Sequence, residues 1–259
     1  MEVVIRDNAA EVALLAASWV ARLLGEKPTA VLGLPTGQTM VALYAELVRL
    51  HREEGLDFSG CTTFNLDEYV GLPAEHPCSY RCYMREHLFD HVNLDPDRTH
   101  LPDGMARDIP RHCQEYEERI QAADGLDLVL LGLGRDGHIA FNEPSSSLSS
   151  RTRIKVLTPL TRAANRAGFP SEENVPLYVL TMGVGTIMDA RRCVLIATGA
   201  GKARAVAAMV EGPVTAMLPA SALQYHPRCT ALVDDAAAAH LSMREYYRAV
   251  YALKPDWQL

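Results

Sequence analysis

The chain has no apolar run near the roughly 18 residues a membrane-spanning helix needs, and no Cys-x-x-Cys hairpin, excess of positive charge or Gly-x-x-x-x-Gly-Lys-Ser/Thr string. The first absence excludes a spanning helix. The opening residues Met1-Glu2-Val3-Val4-Ile5-Arg6-Asp7 lack the basic head and apolar stretch of a secretion signal. The expectation is a soluble cytoplasmic protein with no membrane partner. A formal net charge of −7 argues against general nucleic-acid binding, which needs clustered Lys and Arg against phosphates, although a local basic pocket is compatible with it. Cys61, Cys78, Cys82, Cys113, Cys193 and Cys229 are scattered through a chain large enough to build its own core, and they read as reduced thiols. His76, Cys78, Cys82 and His87 fall close together, which raises a zinc site. Their spacing lacks the paired hairpins of structural zinc, so packing around a helix beginning near Ser79 is the competing reading, and no metal is expected.

What is present suits one compact domain: 259 residues, 48% apolar and 22% charged, enough to bury a substantial core. Short apolar runs alternate with amphipathic stretches, the pattern of strands joined by crossover helices. Strands are predicted at Ala30–Leu34, Thr62–Asn65, Leu126–Leu131, Leu177–Thr181, Val194–Ala197 and Cys229–Val233. Helices are predicted at Asn8–Leu24, Thr39–His51 and Asp234–Ala252. The expected fold class is α/β: a single-domain, Rossmann-like, open and mostly parallel sheet flanked by helices, without repeats or a low-complexity linker. The segment 158–174, with Gly168, Pro170 and the acidic pair Glu172 and Glu173, reads equally as a mobile lid or an ordinary surface connection.

In an open parallel sheet, ligands bind beyond the carboxyl ends of the strands. Three motifs directly follow predicted strands and are expected to converge there. In the first, Pro35-Thr36-Gly37-Gln38-Thr39 leads from strand to helix, where free backbone N–H groups suit a phosphate; the alternative is a plain turn with Thr36 or Thr39 as helix cap. In the second, Asn65-Leu66-Asp67-Glu68-Tyr69 places adjacent acids at a strand end, where one shielded from water is suited to proton abstraction. The alternative is an Asp capping the next turn beside a solvated Glu. Later in the chain, Gly199-Ala200-Gly201-Lys202-Ala203 imitates a nucleotide-triphosphate loop but has alanine where the magnesium-binding hydroxyl belongs. Lys202 remains a candidate charge for a simple phosphate monoester.

The third motif, Gly132 to Pro144, matches Gly-x-Gly-x-x-Gly. A dinucleotide site requires a helix opening at the second glycine and an acid about 20 residues on, whereas here His138, Asn142-Glu143-Pro144 and a serine run follow, with Arg151, Arg153 and Lys155 near the position of the acid. Asp136, His138 and Glu143 instead form a set in which a carboxylate orients an imidazole and another acid shares in proton exchange. A polar turn is the plainer reading.

Phe64-Asn65-Leu66-Asp67-Glu68-Tyr69-Val70-Gly71-Leu72, Asp136-Gly137-His138-Ile139-Ala140-Phe141-Asn142-Glu143-Pro144 and Ser150-Arg151-Thr152-Arg153-Ile154-Lys155, taken in order, resemble the glucosamine-6-phosphate deaminase family from about Val31 to the helix after Asp234. The 6-phosphogluconolactonases share the broad fold and the Asp-Gly-His turn without the Phe-Asn-Glu-Pro continuation, and lactone hydrolysis is the runner-up. A non-catalytic sugar-phosphate sensor is the third reading. The resemblance implies conversion of glucosamine 6-phosphate and water to fructose 6-phosphate and ammonia, with no cofactor. It implies Asp67 as the base that moves a proton from C2 to C1, and His138 as the ring-opening base with Asp136 and Glu143 setting its protonation and position. The phosphate would lie between the Pro35–Thr39 turn, Lys202 and Arg166, the last matched across a one-residue deletion before Asn174. Regulated relatives form hexamers that bind N-acetylglucosamine 6-phosphate at subunit contacts, and Ser146, Arg153 and Lys155 match positions of that site. Val156 replaces a threonine found there, and the region around Tyr247 matches too loosely to place a tyrosine. The implied partners are an amino-sugar phosphate and further copies of the chain in a homo-oligomer.

Overall fold

The computed structural model describes residues 1–166 and 168–255. Its strands are β1 (Glu2–Arg6), β2 (Val31–Leu34), β3 (Thr62–Asn65), β4 (Asp67–Tyr69), β5 (Thr99–His100), β6 (Leu128–Gly132), β7 (Arg153–Val156), β8 (Tyr178–Thr181), β9 (Cys193–Ala197) and β10 (Cys229–Asp234). The helices are α1 (Ala9–Glu26), α2 (Gln38–Glu54), α3 (Tyr80–His87), α4 (Ile109–Ala122), α5 (Pro159–Ala164), α6 (Val184–Met188), α7 (Ala203–Glu211) and α8 (Arg244–Ala252). Seven strands form one parallel sheet in the order β1-β10-β9-β6-β2-β3-β5, while β4, β8 and β7 make a small antiparallel sheet.

The central strands are buried on both faces, which is why they read as unbroken apolar runs rather than alternating ones. In β6, Val129 and Leu131 enter one core while Leu128 and Leu130 enter the other, so helices cover both sides. The first core also takes Tyr116 and Ile120 of α4 and Val206 and Met209 of α7. The second takes Val12, Ala16 and Val20 of α1 and Met40, Leu43 and Leu47 of α2. Those spacings put each apolar set on one helical stripe. Asn8 starts α1 by accepting from the Glu11 N–H, and Gly55, in the left-handed conformation, ends α2.

Two expectations need correction. Leu177–Thr181, grouped with the crossover strands, pairs antiparallel as β8, because Asp67 at the end of β3's run turns out of the main sheet and takes it as a partner. The helix expected over Asp234–Ala252 begins only at Arg244. Asp234 is the last residue of β10, and its carboxylate accepts from the Gly199 and Ala237 N–H groups at 2.8–3.0 Å. Local helical patterning carries no trace of that long-range demand. Strands β1, β4, β5 and β7 are absent from the predicted set because β4 and β5 are two or three largely polar residues and β1 and β7 are edge strands whose apolar residues are flanked or interrupted by charged ones.

The strand order places the site. From β2 the chain winds outward through β3 to β5, then returns to the other side of β2 as β6 and continues to β9 and β10. The order therefore reverses between β2 and β6, where a crevice opens at the carboxyl ends. The motifs that follow β2, β3, β6 and β9 all leave the same edge of four adjacent strands.

Candidate active site

Asp67 is 5% exposed, and burial, followed by the neighbouring Glu68 charge, pushes its carboxyl up to about 8. On the small sheet it stands opposite Thr181, whose hydroxyl accepts from the Phe141 N–H at 3.0 Å. Asn142 adds donors to the Met182 and Ile139 carbonyls at 2.8 and 3.0 Å. Thr181 and Asn142 thus tie the acid's strand to the turn that carries His138.

Glu68 has a different task. It is 3% exposed and accepts from the N–H groups of Tyr69, Tyr80 and Arg81 at 2.8, 3.0 and 3.0 Å, so it caps the start of α3 from a distant strand. Burial raises its pKa and the three backbone donors partly restore it. The structure reverses the alternative reading of this pair, in which the Asp caps and the Glu is solvated. Glu68→Ala would strand three donors, a loss of about 3 kcal/mol or more; a fall of roughly 5–10 °C in thermal midpoint is expected, and an unchanged midpoint would remove the cap.

At the turn after β6, the His138 Nδ1 lies 2.6 Å from Asp136 Oδ1, in close contact though not aligned as an ideal hydrogen bond. The His138 N–H also donates to Oδ1 at 3.2 Å. Contact with His138 holds the Asp136 carboxyl below its ordinary range. This arrangement favours the proton on Nδ1 and leaves Nε2 as a base. Both inner glycines have steric reasons to be there. A Cβ on Gly134 would stand 2.3 Å from the imidazole, and Gly137 has φ +84° with Leu218 within 2.4 Å of where a Cβ would be. No helix follows: residues 138–152 run through bends and turns, so the dinucleotide reading fails its own structural test.

Glu143 is 5% exposed, and its Oε1 accepts from the hydroxyls of Thr158, at 3.1 Å, and Thr161. Its partners thus come from α5 and its cap rather than from His138. Segment 158–174, whose Ala167 lies outside the described residues, packs Phe169 edge-on against Tyr69 with ring centroids 5.8 Å apart, and the Gly168 carbonyl accepts from the Cys78 thiol at 3.1 Å. The remaining residues of the zinc reading are also engaged locally: His76 Nδ1 accepts from the Cys78 N–H, Ser79 caps α3 through the Cys82 N–H, and His87 packs on Tyr83.

On the other side of the crevice, Gly37 caps α2 with no side-chain hydrogen bond and no acid in the first turn, so neither Thr36 nor Thr39 uses up the helix N–H groups. The turn is held from behind by Tyr44, whose hydroxyl donates to the Pro35 carbonyl at 2.5 Å, and by Tyr83, which donates to the Gly37 carbonyl at 2.8 Å. The Lys202 ammonium donates to the Leu133 carbonyl at 2.5 Å, joining the loops after β9 and β6; burial lowers its pKa, followed by the field of Arg135. Arg166 is exposed and has no ion-pair partner among the described residues. Three supporting residues escaped sequence reasoning, Thr161, Thr181 and Asp234, because each acts through a partner at least 18 residues away.

Arg153 and Lys155 lie on one face of β7, with Arg153 lining a groove of about 600 Å³ between α4 and β7 together with Cys113, Glu117 and Arg151. Ser146 is buried, and its hydroxyl makes no hydrogen bond to either of them among the described residues. All six cysteines are free thiols. No described helix is long and apolar enough to cross a membrane.

Comparison with known proteins agrees with this geometry. Residues 6–232 match the family model described as glucosamine-6-phosphate isomerases/6-phosphogluconolactonase. A glucosamine-6-phosphate deaminase of Arthrobacter sp. strain FB24 is 55% identical over all of this chain and 99% of its own length, and one from Streptomyces avermitilis is 52% identical over the same shares. The solved structure of a monomeric glucosamine-6-phosphate deaminase, 43% identical, superposes with a TM-score of 0.91 over 93% of this chain and all of the other. A 6-phosphogluconolactonase from Trypanosoma brucei shares the fold at 23% identity and a TM-score of 0.71 over 93% of this chain and 98% of the other. With its sheet, its strand-end loops and its full-length relatives in agreement, the chain belongs to the glucosamine-6-phosphate isomerase/6-phosphogluconolactonase family.

Proposed function

We propose that this chain converts glucosamine 6-phosphate and water to fructose 6-phosphate and ammonia. The observation that carries the reading is the buried Asp67 at the strand end beside the His138 turn. A C–H proton must be removed in this reaction, whereas lactone hydrolysis needs no such base, and relatives above 50% identity bear the deaminase name.

The C2 proton becomes acidic only when C1 is an aldehyde, so the ring opens first. His138 Nε2 takes the proton of the C1 hydroxyl while the ring oxygen is protonated and leaves C1. Asp67 then removes the C2 proton, giving an enolamine, and returns a proton to C1. Water adds to the resulting C2 imine, and ammonia departs from the carbinolamine. General acid–base assistance of this kind contributes about 10²- to 10⁴-fold per group. Asp136 holds the imidazole at Nδ1 and leaves Nε2 free for the substrate, and Glu143, held by Thr158 and Thr161, links the site to segment 158–174, which serves as a lid. The phosphate rests on the Pro35–Thr39 turn with Lys202 and Arg166, so that its binding energy holds C2 against the base.

A carboxyl raised to about 8 has a readable consequence. The base must be ionised to act, so after subtraction of the substrate's own titration, kcat/KM is expected to rise about tenfold per pH unit below 8 and level off above it. A flat profile from pH 6 to 9 would remove Asp67 as the ionising base. Ser146, Arg153 and Lys155 are the candidate second site for N-acetylglucosamine 6-phosphate in a homo-oligomer. That part is favoured by Arg153 lining the groove beside α4, while the monomeric relative argues for a single chain; sedimentation with and without the ligand separates the two. The free thiols fit a cytoplasmic setting.

A further inference from the structure

We infer that Arg135 is a third cation of the phosphate grip, joining Lys202 and Arg166 on the substrate phosphate; this rests on the sugar-phosphate reading above. Arg135 stands at the exposed tip of the turn that follows β6. Its guanidinium lies over Gly201, with Nε, Nη2 and Cζ 3.6, 3.7 and 3.8 Å from where a Cβ on that glycine would be. Gly201 immediately precedes Lys202, whose ammonium reaches back to the Leu133 carbonyl at the base of the same turn. Two cations from the ends of neighbouring strands, β6 and β9, therefore share one space.

Arg135 has no carboxylate partner among the described residues. The acid beside it in sequence, Asp136, faces the His138 imidazole, and its charge and that of Arg135 act on Lys202 in opposite directions. Like charges held together without a common anion repel each other, and a phosphate placed between them turns that cost into attraction. A guanidinium is the suitable partner for a tetrahedral anion, since its fork donates two parallel hydrogen bonds where an ammonium acts as a point charge. The bare backbone at Gly201 keeps the approach open. Arg135 also sits three residues from His138 on one rigid turn. A phosphate gripped there would fix the turn and place the sugar's other end at the ring-opening base, a coupling that an unphosphorylated sugar could not exploit.

The test measures binding of inorganic phosphate by calorimetry, alongside steady-state ammonia release, in the full chain and in Arg135→Gln and Arg135→Lys. Arg135 is exposed, so both variants should keep the parent's thermal midpoint. Arg135→Gln should weaken phosphate binding at least about tenfold, the usual scale for hydrogen bonds to a charged group. The KM for glucosamine 6-phosphate should rise in parallel. Arg135→Lys should recover only part of the loss, because charge without the fork is not equivalent. Phosphate affinity unchanged in Arg135→Gln would overturn the inference even where ammonia is released normally. Phosphate binding that depends on Arg135 in a chain releasing no ammonia would sustain the inference and overturn the deaminase reading instead.

Discussion

Asp67→Asn is expected to abolish ammonia release, by about 10³-fold or more, while leaving substrate binding within a few fold. The substitution keeps the shape of the side chain and removes only its ability to take a proton. The adjacent Glu68 cannot substitute, because its carboxylate is committed to the N–H groups of Tyr69, Tyr80 and Arg81. Loss of turnover with KM preserved would mark an interaction needed in the transition state alone.

The same variant carries a stability signature of opposite sign. Burial raises the folded-state pKa of Asp67 from 3.8 to about 8, so the bound proton stabilises the fold fully below the unfolded value, and that contribution is lost as pH climbs through 8. A shift of that size corresponds to about 6 kcal/mol as an upper bound. The wild-type thermal midpoint should therefore fall between pH 5 and 9, and that of Asp67→Asn should fall much less. Activity and stability of the wild type then move in opposite directions across one pH window, as expected of a base kept in an unfavourable environment for its chemistry. Parallel midpoints in the two proteins would mean that Asp67 is not the buried ionising group.

His138→Gln is the second large effect, a fall in kcat of about 10²- to 10⁴-fold. Its cause is separable from that of Asp67, because the imidazole acts before the C–H bond is broken. An acyclic amino-alditol 6-phosphate needs no ring opening, so it should bind His138→Gln and wild type within about threefold of each other. Weaker binding of that analogue by an order of magnitude would place His138 in general sugar recognition. Asp136→Asn should reproduce part of the kcat loss, since an amide 2.6 Å from Nδ1 no longer favours the tautomer that leaves Nε2 basic.

The architecture of the main sheet was legible because its central strands are continuous apolar runs and the loops after them are rich in glycine and polar residues. The failure of the nucleotide reading was legible as well: no helix was predicted after Gly137, and none forms. Less of the support was. Glu68 reads as one of two adjacent acids, and only the return of α3 to within hydrogen-bond distance shows that it is a helix cap. Asp234 falls inside an amphipathic stretch, so its role in holding Gly199, and through it the Lys202 loop, lies outside any local pattern. Glu143 stands beside the His138 turn in sequence, and only the fold shows that its carboxylate is held by hydroxyls 15 and 18 residues away. Arg135 reads in sequence as one charged residue among glycines, and only the fold sets its guanidinium over Gly201 on the neighbouring strand's loop. What sequence conveys here is residue type at strand ends, and what it omits is which distant group each side chain meets.

The most direct test supplies the purified chain separately with glucosamine 6-phosphate and 6-phosphogluconolactone, and measures ammonia, fructose 6-phosphate and acid in each. The expected result is equimolar ammonia and fructose 6-phosphate from the first, with no enzymatic acid from the second. Acid release from the lactone without ammonia from the amino sugar would contradict the assignment and return the chain to the hydrolase branch of its family.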